Sequence, residues 1–208
     1  MAKAGRPRSF DRQEALRRAM NVFWSLGYEG TTLVDLLEAM GNITPTSFYA
    51  AFGSKEELFR EAVQLHTATF GTSVVRNLNE QATARASIEA LLRTAVNVFC
   101  EKDHPRGCMT VLGATNCTRS NEKIQDYLRQ MRLMTYRTIR QRLERGVKEG
   151  DIPAKADLSG LASFYTTVLH GLSIQARDGA SRKALTTAVD YAMSAWDEIR
   201  NCMGRRRS

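Results

Sequence analysis

The stretch TTLVDLLEAMGNITPTSFYAAFGSKEEL, residues 31–58, decides the fold of this chain. Thr32 and Thr44 each stand directly before a short segment that reads as a helix. A threonine in this position is typical of a helix N-cap, because its side-chain oxygen can accept a backbone N–H of the first turn. Between the two segments stands Gly41-Asn42, a pair that tolerates the positive φ of a tight turn. The stretch therefore predicts two short helices joined by a turn.

Two capping boxes place further helices on either side of this pair. Asp11-Arg12-Gln13-Glu14 opens a helix that Gly27 ends, and Ser54-Lys55-Glu56-Glu57 opens one that runs to about Asn77. Two short helices joined by a tight turn, with a longer helix before and after them, are the outline of a helix-turn-helix unit.

The second short helix has an apolar face and a polar face. Its outward side chains are small hydroxyls and one aromatic: Thr44, Thr46, Ser47 and Tyr49. Such side chains fit a DNA major groove about 12 Å wide. The first short helix can rest its positive N-terminal end on a phosphate, and Lys55 can hold another. The alternative is a plain packing unit in which Phe48 and Phe52 are core and Tyr49 is incidental.

The remainder of the chain reads as a helical bundle. Apolar residues recur at helical spacing around Leu91, in a long polar-faced helix from about residue 121 to 149, and in two last helices, 157–177 and 181–201. Residues 102–120 are ambiguous. We predict an all-α protein of nine helices without a sheet. Its predicted parts are a flexible basic arm (1–9), a helix-turn-helix DNA-binding domain (10–53), an effector-binding and dimerisation domain (54–203) and a basic tail (204–208).

Composition and charge exclude several classes of protein. Of the 208 residues, 43% are hydrophobic and 25% are charged, as in a globular rather than a disordered chain. No apolar run reaches the roughly 18–20 residues of a membrane span, and the N-terminus lacks the apolar core of a signal peptide. We therefore expect a cytoplasmic protein with free thiols and no membrane partner. The net charge of +8 is a weak indication of nucleic-acid binding, because residues 11–60 are nearly neutral.

The helix-turn-helix residues resemble a known family. The pattern Thr-Thr, apolar helix, small-residue turn, then x-Phe-Tyr-x-x-Phe-x-Ser-Lys-Glu-x-Leu is similar to that of the TetR family of bacterial transcriptional regulators, densely over residues 10–60. The resemblance implies that Thr32 caps the phosphate-facing helix and that Tyr49 and Lys55 clamp the DNA backbone. It also implies that the groove is met by Thr44, Thr46 and Ser47.

The basic arm adds two arginines, which either reach a neighbouring minor groove or belong to a solvated chain start. The predicted DNA contacts are Arg6, Arg8, Thr32, Thr44, Pro45, Thr46, Ser47, Tyr49 and Lys55.

Motifs of catalysis and metal binding are missing from the sequence. It has no GxSxG, no phosphate-cradling glycine loop and no HExxH, and its Cys and His residues lack metal-ligand spacing. We therefore predict no enzyme activity, no cofactor and no metal site. Three cysteines lie near Lys102, His104 and Arg106, and positive neighbours lower the pKa of a thiol. Because some TetR-like regulators sense electrophiles or oxidants through a cysteine, Cys108 is the candidate sensor. Buried, inert cysteines are the alternative.

A cavity between bundle helices is expected to hold a small, at least partly apolar effector, as the resemblance implies. The predicted effector-binding or sensing residues are Cys108, Cys117, Met109, Tyr127, Met131, Met134 and Tyr165. Methionine and aromatic residues at helical spacing are also typical of simple core packing.

The last two helices are expected to pair with their copies in a homodimer, as in the family. The predicted interface residues are Leu161, Tyr165, Leu169, Leu172, Val189, Ala192 and Trp196. In the alternative, these helices only complete the core of one chain.

The sequence thus predicts a dimeric, sequence-specific transcriptional regulator, most simply a repressor that a small-molecule effector releases from its operator. Two-fold symmetry places two recognition helices about 34–36 Å apart on a roughly palindromic double-stranded DNA site. A cysteine-based electrophile or redox sensor of the same fold is the nearest alternative. Two other classes stay open: a helical ligand-binding protein with a non-functional DNA-binding unit, and a non-specific basic protein that binds DNA or a membrane surface.

Overall fold

A computed structural model describes residues 11–201, and within this range the chain is helical with no strand. The N-terminal part consists of four helices. They are α1 (Arg12–Gly30), α2 (Leu33–Ala39), α3 (Pro45–Phe52) and α4 (Lys55–His66). The predicted contacts Arg6 and Arg8 and the basic tail 204–208 lie outside the described residues.

The C-terminal part begins with a π-helical turn, Thr67–Gly71, that continues directly from α4. Its helices are α5 (Thr72–Glu80), α6 (Ala84–Phe99), α7 (Met109–Leu112), α8 (Glu122–Glu149), α9 (Leu158–Arg177), α10 (Arg182–Ser194) and α11 (Trp196–Asn201). A 3₁₀ turn, Arg119–Asn121, precedes α8.

The helix starts follow from local hydrogen bonding. The side chains of four N-cap residues accept bonds from backbone N–H groups of the first turn, as their sequence positions predict: Asp11, Thr32, Thr44 and Ser54. Gly27 has a φ of +72°, which L-residues rarely adopt, and it breaks α1 three residues before its end. After this break the Tyr28 N–H donates to the Gly113 carbonyl at 2.7 Å, so the end of α1 is tied to the segment after α7.

The described residues form two hydrophobic cores. The first joins α1–α4 with Met109 of α7 and the start of α8, and its contacts include the rings of Phe23 and Phe59, 5.0 Å apart. The second joins α5, α6 and α8–α11. The helix α4 belongs to the first core, although the predicted domain boundary lies at residue 53.

Two of the predicted helices are divided in the structure. The helix expected from 55 to about 77 is interrupted by the π-helical turn, and the final helix breaks at Ala195, so residues 11–201 contain eleven α-helices rather than nine. Leu26 of α1 is exposed. None of the helices in this range combines the length and apolar character that crossing a membrane requires.

Candidate DNA-binding surface and effector cavity

The polar face of α3 is held in place by its apolar face. Phe48 and Phe52 are buried in the first core, whereas Tyr49 between them exposes 53% of its surface. Thr46 is exposed on the same side as Tyr49. The helix therefore presents a hydroxyl and an aromatic ring to solvent on a rigid support.

Thr44 and Ser47 also form the hydrogen bonds that cap the N-terminus of α3. The Thr44 hydroxyl oxygen accepts the Ser47 N–H at 3.2 Å and donates to the Ser47 hydroxyl at 3.0 Å. Pro45 occupies the first helical turn, where its missing N–H costs nothing. These groups keep α3 in one orientation, and all three residues lie at its exposed end.

Thr32 makes a complete capping box with Asp35 at the start of α2. Asp35 accepts the Thr32 N–H and hydroxyl, both at 2.7 Å, and donates its own N–H back to the Thr32 oxygen at 3.1 Å. These bonds, first from the Thr32 hydroxyl and then from its backbone, lower the pKa of the Asp35 carboxyl.

Lys55 begins α4 beside this cap. Its ammonium lies over the Tyr28 ring, 4.3 Å from the centroid. Burial lowers the pKa of Lys55, while the Glu29 and Asp35 carboxylates act in the opposite direction. The side chain is thus half-buried and oriented by an aromatic ring, next to the N-terminus of α2.

The DNA-binding unit is fastened to the bundle at the end of α1. Glu29 accepts the Asn121 amide at 2.9 Å and the Thr118 N–H at 2.7 Å, and these bonds, first that from Asn121, lower the pKa of the Glu29 carboxyl. On the other side, Arg177 of α9 donates to the carbonyls of Trp24, at 2.9 Å, and Ser25. Sequence spacing does not reveal these contacts, because they join residues far apart in the chain.

An aromatic cluster fills the junction beneath Trp24. The indole stacks on His104 at 4.5 Å and meets the edges of His66 at 4.4 Å and Phe70 at 5.1 Å. Burial, and then the charge of His104, lower the pKa of His66 to about 4. His66 is therefore a neutral imidazole at pH 7.

A cavity of about 120 Å³ lies directly behind this cluster. His66 and Phe70 form part of its wall, together with apolar side chains of α5, α6 and α9 such as Val74, Leu91 and Leu169. The π-helical turn and the end of α4 therefore border the cavity. A molecule bound there touches the helix that carries Lys55 at its other end.

Cys108 and Met131 are the two predicted effector residues that line this cavity. The other five predicted residues do not line this cavity. Met109 is buried in the first core, Met134 is exposed, and Tyr165 is buried with its hydroxyl donating to the Ala192 carbonyl at 3.2 Å. Tyr127 lies under the Arg60 guanidinium, and Cys117 lies near Glu29 and Lys55.

The cysteines do not have the environment that the sequence suggested. Burial raises the pKa of the Cys108 thiol, although N–H groups of Thr110 and Val111 and the charge of Arg132 oppose this effect. Arg106 approaches Cys100, at 3.5 Å, rather than Cys108. The basic residues beside Cys108 in sequence therefore do not make it a thiolate in the folded chain.

The predicted dimer residues lie inside one chain. All seven are buried in the second core: Leu161, Tyr165, Leu169, Leu172, Val189, Ala192 and Trp196. They complete the core of the single chain, as in the alternative stated for these helices. The large apolar side chains that α9 and α10 expose are Phe164, Ile174 and Tyr191.

One group of possible metal ligands comes together within residues 11–201, although the sequence spacing predicted none. Ligand atoms of Glu101, Asp103 and His104 lie within 4.8 Å of one another. The two carboxylates are exposed, and exposed acidic groups commonly occur without an ion.

Comparisons with known proteins agree with this architecture. Residues 15–62 match "Bacterial regulatory proteins, tetR family", and residues 82–192 match "Tetracyclin repressor-like, C-terminal domain". The HTH-type transcriptional repressor ComR of Escherichia coli (strain K12) is 35% identical over 196 residues, which are 94% of this chain and 93% of ComR. The repressor BdcR of the same organism is 26% identical over 92% of this chain and 91% of its own length.

A solved structure is similar over almost the whole chain. It is the TetR family transcriptional regulator CifR, a cysteine mutant complexed with 26-base-pair double-strand operator DNA. It is 46% identical to this chain with a TM-score of 0.89, and the match covers 92% of this chain and 100% of that chain.

Proposed function

The chain belongs to the TetR family of bacterial transcriptional regulators, and from this premise we propose that it is a dimeric repressor that an effector in the bundle cavity releases from a roughly palindromic operator. It is a DNA-binding regulator and not an enzyme. It acts in the cytoplasm, where bacterial operator DNA is found.

The observation that carries the proposal is the orientation of α3. Its exposed face holds Thr46 and Tyr49, while Phe48 and Phe52 anchor its other face in the core. An exposed, rigidly supported helix of eight residues fits the major groove. The similarity to an operator complex of CifR over 92% of this chain supports the same mode of binding.

We assign the DNA contacts to two groups of side chains. Thr44, Thr46 and Ser47 at the start of α3 read base edges. Tyr49 and Lys55 bind phosphates together with the N-terminal end of α2 at Thr32. Pro45 supports the helix start rather than carrying sequence information, because it offers no donor.

The second copy covers the exposed apolar side of α9 and α10. Phe164, Gly171 and Ile174 lie on one side of α9, since seven and ten residues span about two and three helical turns. Space is open within 4 Å of a Cβ at Gly171, so a partner helix can approach closely there. Tyr191 of α10, 74% exposed, adds an aromatic anchor of the kind that dominates interfaces.

The position of the cavity accounts for release of the protein from its operator. An effector that fits the cavity in only one of two arrangements of α4 shifts the population toward that arrangement. Because α4 shares a core with α1–α3, this shift changes the spacing of the two recognition helices in the dimer, and operator affinity falls.

Selection of bound fragments from random DNA tests the proposal. A half-site repeat centred about 34–36 Å apart, bound at least 1,000-fold more tightly than random DNA at the same salt concentration, is the expected result. Equal affinity for selected and random DNA would indicate a non-specific binder, and no binding at all would indicate a non-functional DNA-binding unit.

A second candidate function, electrophile sensing, is favoured by one observation: Cys108 lines the cavity. Its sulfur would add across an activated carbon–carbon double bond, forming the S–C bond while the thiol proton moves to the neighbouring carbon. The raised pKa of the thiol makes this addition slow in the absence of a base. Treatment of wild type and Cys108→Ser with N-ethylmaleimide tests it: release of operator by the wild type alone supports sensing, and equal behaviour contradicts it.

A further inference from the structure

Arg132 brings a full positive charge to a wall that is otherwise uncharged. The other described residues that line the cavity are apolar, hydroxyl or thiol side chains, a glycine, and the histidines His66 and His170. Burial lowers the pKa of both histidines, to about 4 for His66, so both imidazoles are neutral at pH 7. Electrostatically, the cavity is therefore an apolar chamber with one cation.

The guanidinium has no acidic partner among residues 11–201. One nitrogen donates to the Thr110 carbonyl at 3.1 Å, and no carboxylate acts on its pKa. Burial, and then the charge of Arg129, lower the pKa of Arg132. A half-buried cation without a counter-ion is costly in free energy, and a bound anion would offset that cost.

The position of the charge indicates where an anion would sit. Arg132 donates to the Thr110 carbonyl of α7 at 3.1 Å, and its charge acts on Cys108 and on His170 of α9, so the guanidinium lies near α7 and α9. Other parts of the same wall are apolar, with residues such as Phe70 and Val74. The cavity wall thus combines one cationic group with a large apolar surface.

The dimensions suit a small amphiphilic molecule. One water needs about 10–15 Å³ of such space, so a cavity of about 120 Å³ holds roughly ten non-hydrogen atoms. A guanidinium presents a planar fork of N–H donors whose geometry matches the two oxygens of a carboxylate.

We propose that the effector is a carboxylate with an apolar body of roughly ten non-hydrogen atoms, whose carboxylate pairs with Arg132 and whose body packs toward Phe70 and Val74. This proposal rests on the proposed function, because it assigns the chemistry of the effector in that same cavity. It requires no reaction with Cys108.

Direct binding to the DNA-free dimer tests the proposal, with octanoate and phenylacetate as probes. Each is compared with its primary amide, which has nearly the same shape and no charge. Titration calorimetry is expected to show that the wild type binds at least one of the acids roughly 10- to 100-fold more tightly than its amide. Equal affinity for acid and amide, or no binding of either acid, overturns the proposal.

Two arginine variants separate pairing from general loss of charge. Arg132→Met is expected to lose roughly 10- to 100-fold in acid affinity and to leave amide affinity unchanged. Arg129→Met removes an exposed arginine of the same helix, paired with Asp126 at 3.0 Å, and is expected to bind the acid within about twofold of the wild type. Equal losses in both variants contradict a specific pairing.

Operator affinity of the same variants is measured in the absence and in the presence of the acid. We expect Arg132→Met to bind its operator like the wild type, and we expect the acid no longer to lower its operator affinity. A folded wild type that binds acid but no selected DNA would contradict the proposed function and leave the ligand assignment standing. Operator binding without any acid binding would contradict the ligand assignment and leave the proposed function standing.

Discussion

The imidazole of His104 stacks on the indole of Trp24, with 4.5 Å between the ring centroids and 17° between the ring planes. Trp24 belongs to α1 of the DNA-binding unit, whereas His104 belongs to the irregular segment between α6 and α7 of the bundle. His66 and Phe70 pack on the same indole and also line the cavity. The cavity and the DNA-binding unit therefore share an aromatic wall.

The neutral state of His66 makes stability depend on pH. Its pKa is about 4 in the folded chain and about 6.5 when exposed, so the unfolded chain binds more protons between these values. The contribution of the neutral His66 to the free energy of unfolding is fully present above about pH 6.5 and is lost as pH falls toward 4. The difference between the two pKa values of His66 corresponds to about 3 kcal/mol in the free energy of unfolding per chain.

His66→Leu is expected to remove this part of the acid sensitivity. Leucine replaces an imidazole whose Nδ1 is buried without a hydrogen-bond partner, so it removes no bond made by that atom. The free energy of unfolding, measured by urea denaturation from pH 8 to pH 4 at a fixed dimer concentration, is compared for both proteins. Carboxylates titrate in both, so the difference between the two curves reports His66. Parallel curves would contradict the assigned pKa.

Two neighbouring aromatic residues of α3 are expected to respond in opposite ways to truncation. Tyr49→Ala removes an exposed ring and is expected to weaken operator binding about tenfold with no change in thermal stability. Phe48→Ala empties a core site and is expected to lower the free energy of unfolding by about 3–5 kcal/mol. Fluorescence anisotropy with the selected operator and thermal denaturation measure the two effects. Unchanged operator affinity in Tyr49→Ala would exclude this residue from the contacts.

The sequence was informative wherever the structure is local. The caps at Thr32, Thr44 and Ser54 and the two faces of α3 depend on residues three or four positions apart, which a periodic pattern reveals. The predicted boundary at residue 53 follows the glycine that ends α3, whereas the shared core continues into α4.

The cavity and the dimer face were not predictable in the same way. The most apolar stripe of α9, with Leu161 and Leu169, turned out to be the core of one chain. A periodic pattern identifies the buried side of a helix but does not say which second, weaker side meets another copy. Arg132 was overlooked because its significance depends on the charges that three-dimensional packing keeps away from it.

Tyr191 provides the test of the proposed dimer surface. Tyr191→Glu places a carboxylate on α10 where we expect the partner, and a buried unpaired charge is strongly unfavourable. Sedimentation velocity at micromolar concentration is expected to show monomers for this variant and dimers for the wild type. Leu26→Glu changes a side chain of α1 that is 52% exposed, and it is expected to remain a dimer. Dimers in both variants would contradict the surface on α9 and α10.

Arg177 is expected to hold the DNA-binding unit against the bundle. The break at Gly27 sends the Tyr28 N–H to Gly113, which leaves the last carbonyls of α1 to other donors. Arg177, which is 153 positions beyond Trp24, donates to that carbonyl and also supplies a cation to a helix end that has no basic residue of its own. The end of α1 is thus capped by a residue of α9.

Arg177→Met removes both hydrogen bonds and the charge, so α1 is expected to open more often while the bundle is unaffected. A loss of about 1–3 kcal/mol at this end corresponds to amide exchange roughly 10- to 100-fold faster in the last turns of α1. Hydrogen exchange with mass spectrometry measures this, and Arg182→Met is the matched control because Arg182 donates to Asn97 within the bundle, at 2.5 Å. Because looser docking broadens the spacing of the two recognition helices, operator affinity is expected to fall several-fold in Arg177→Met alone. Equal α1 exchange in the two variants would show that the aromatic cluster around Trp24 holds the unit without Arg177.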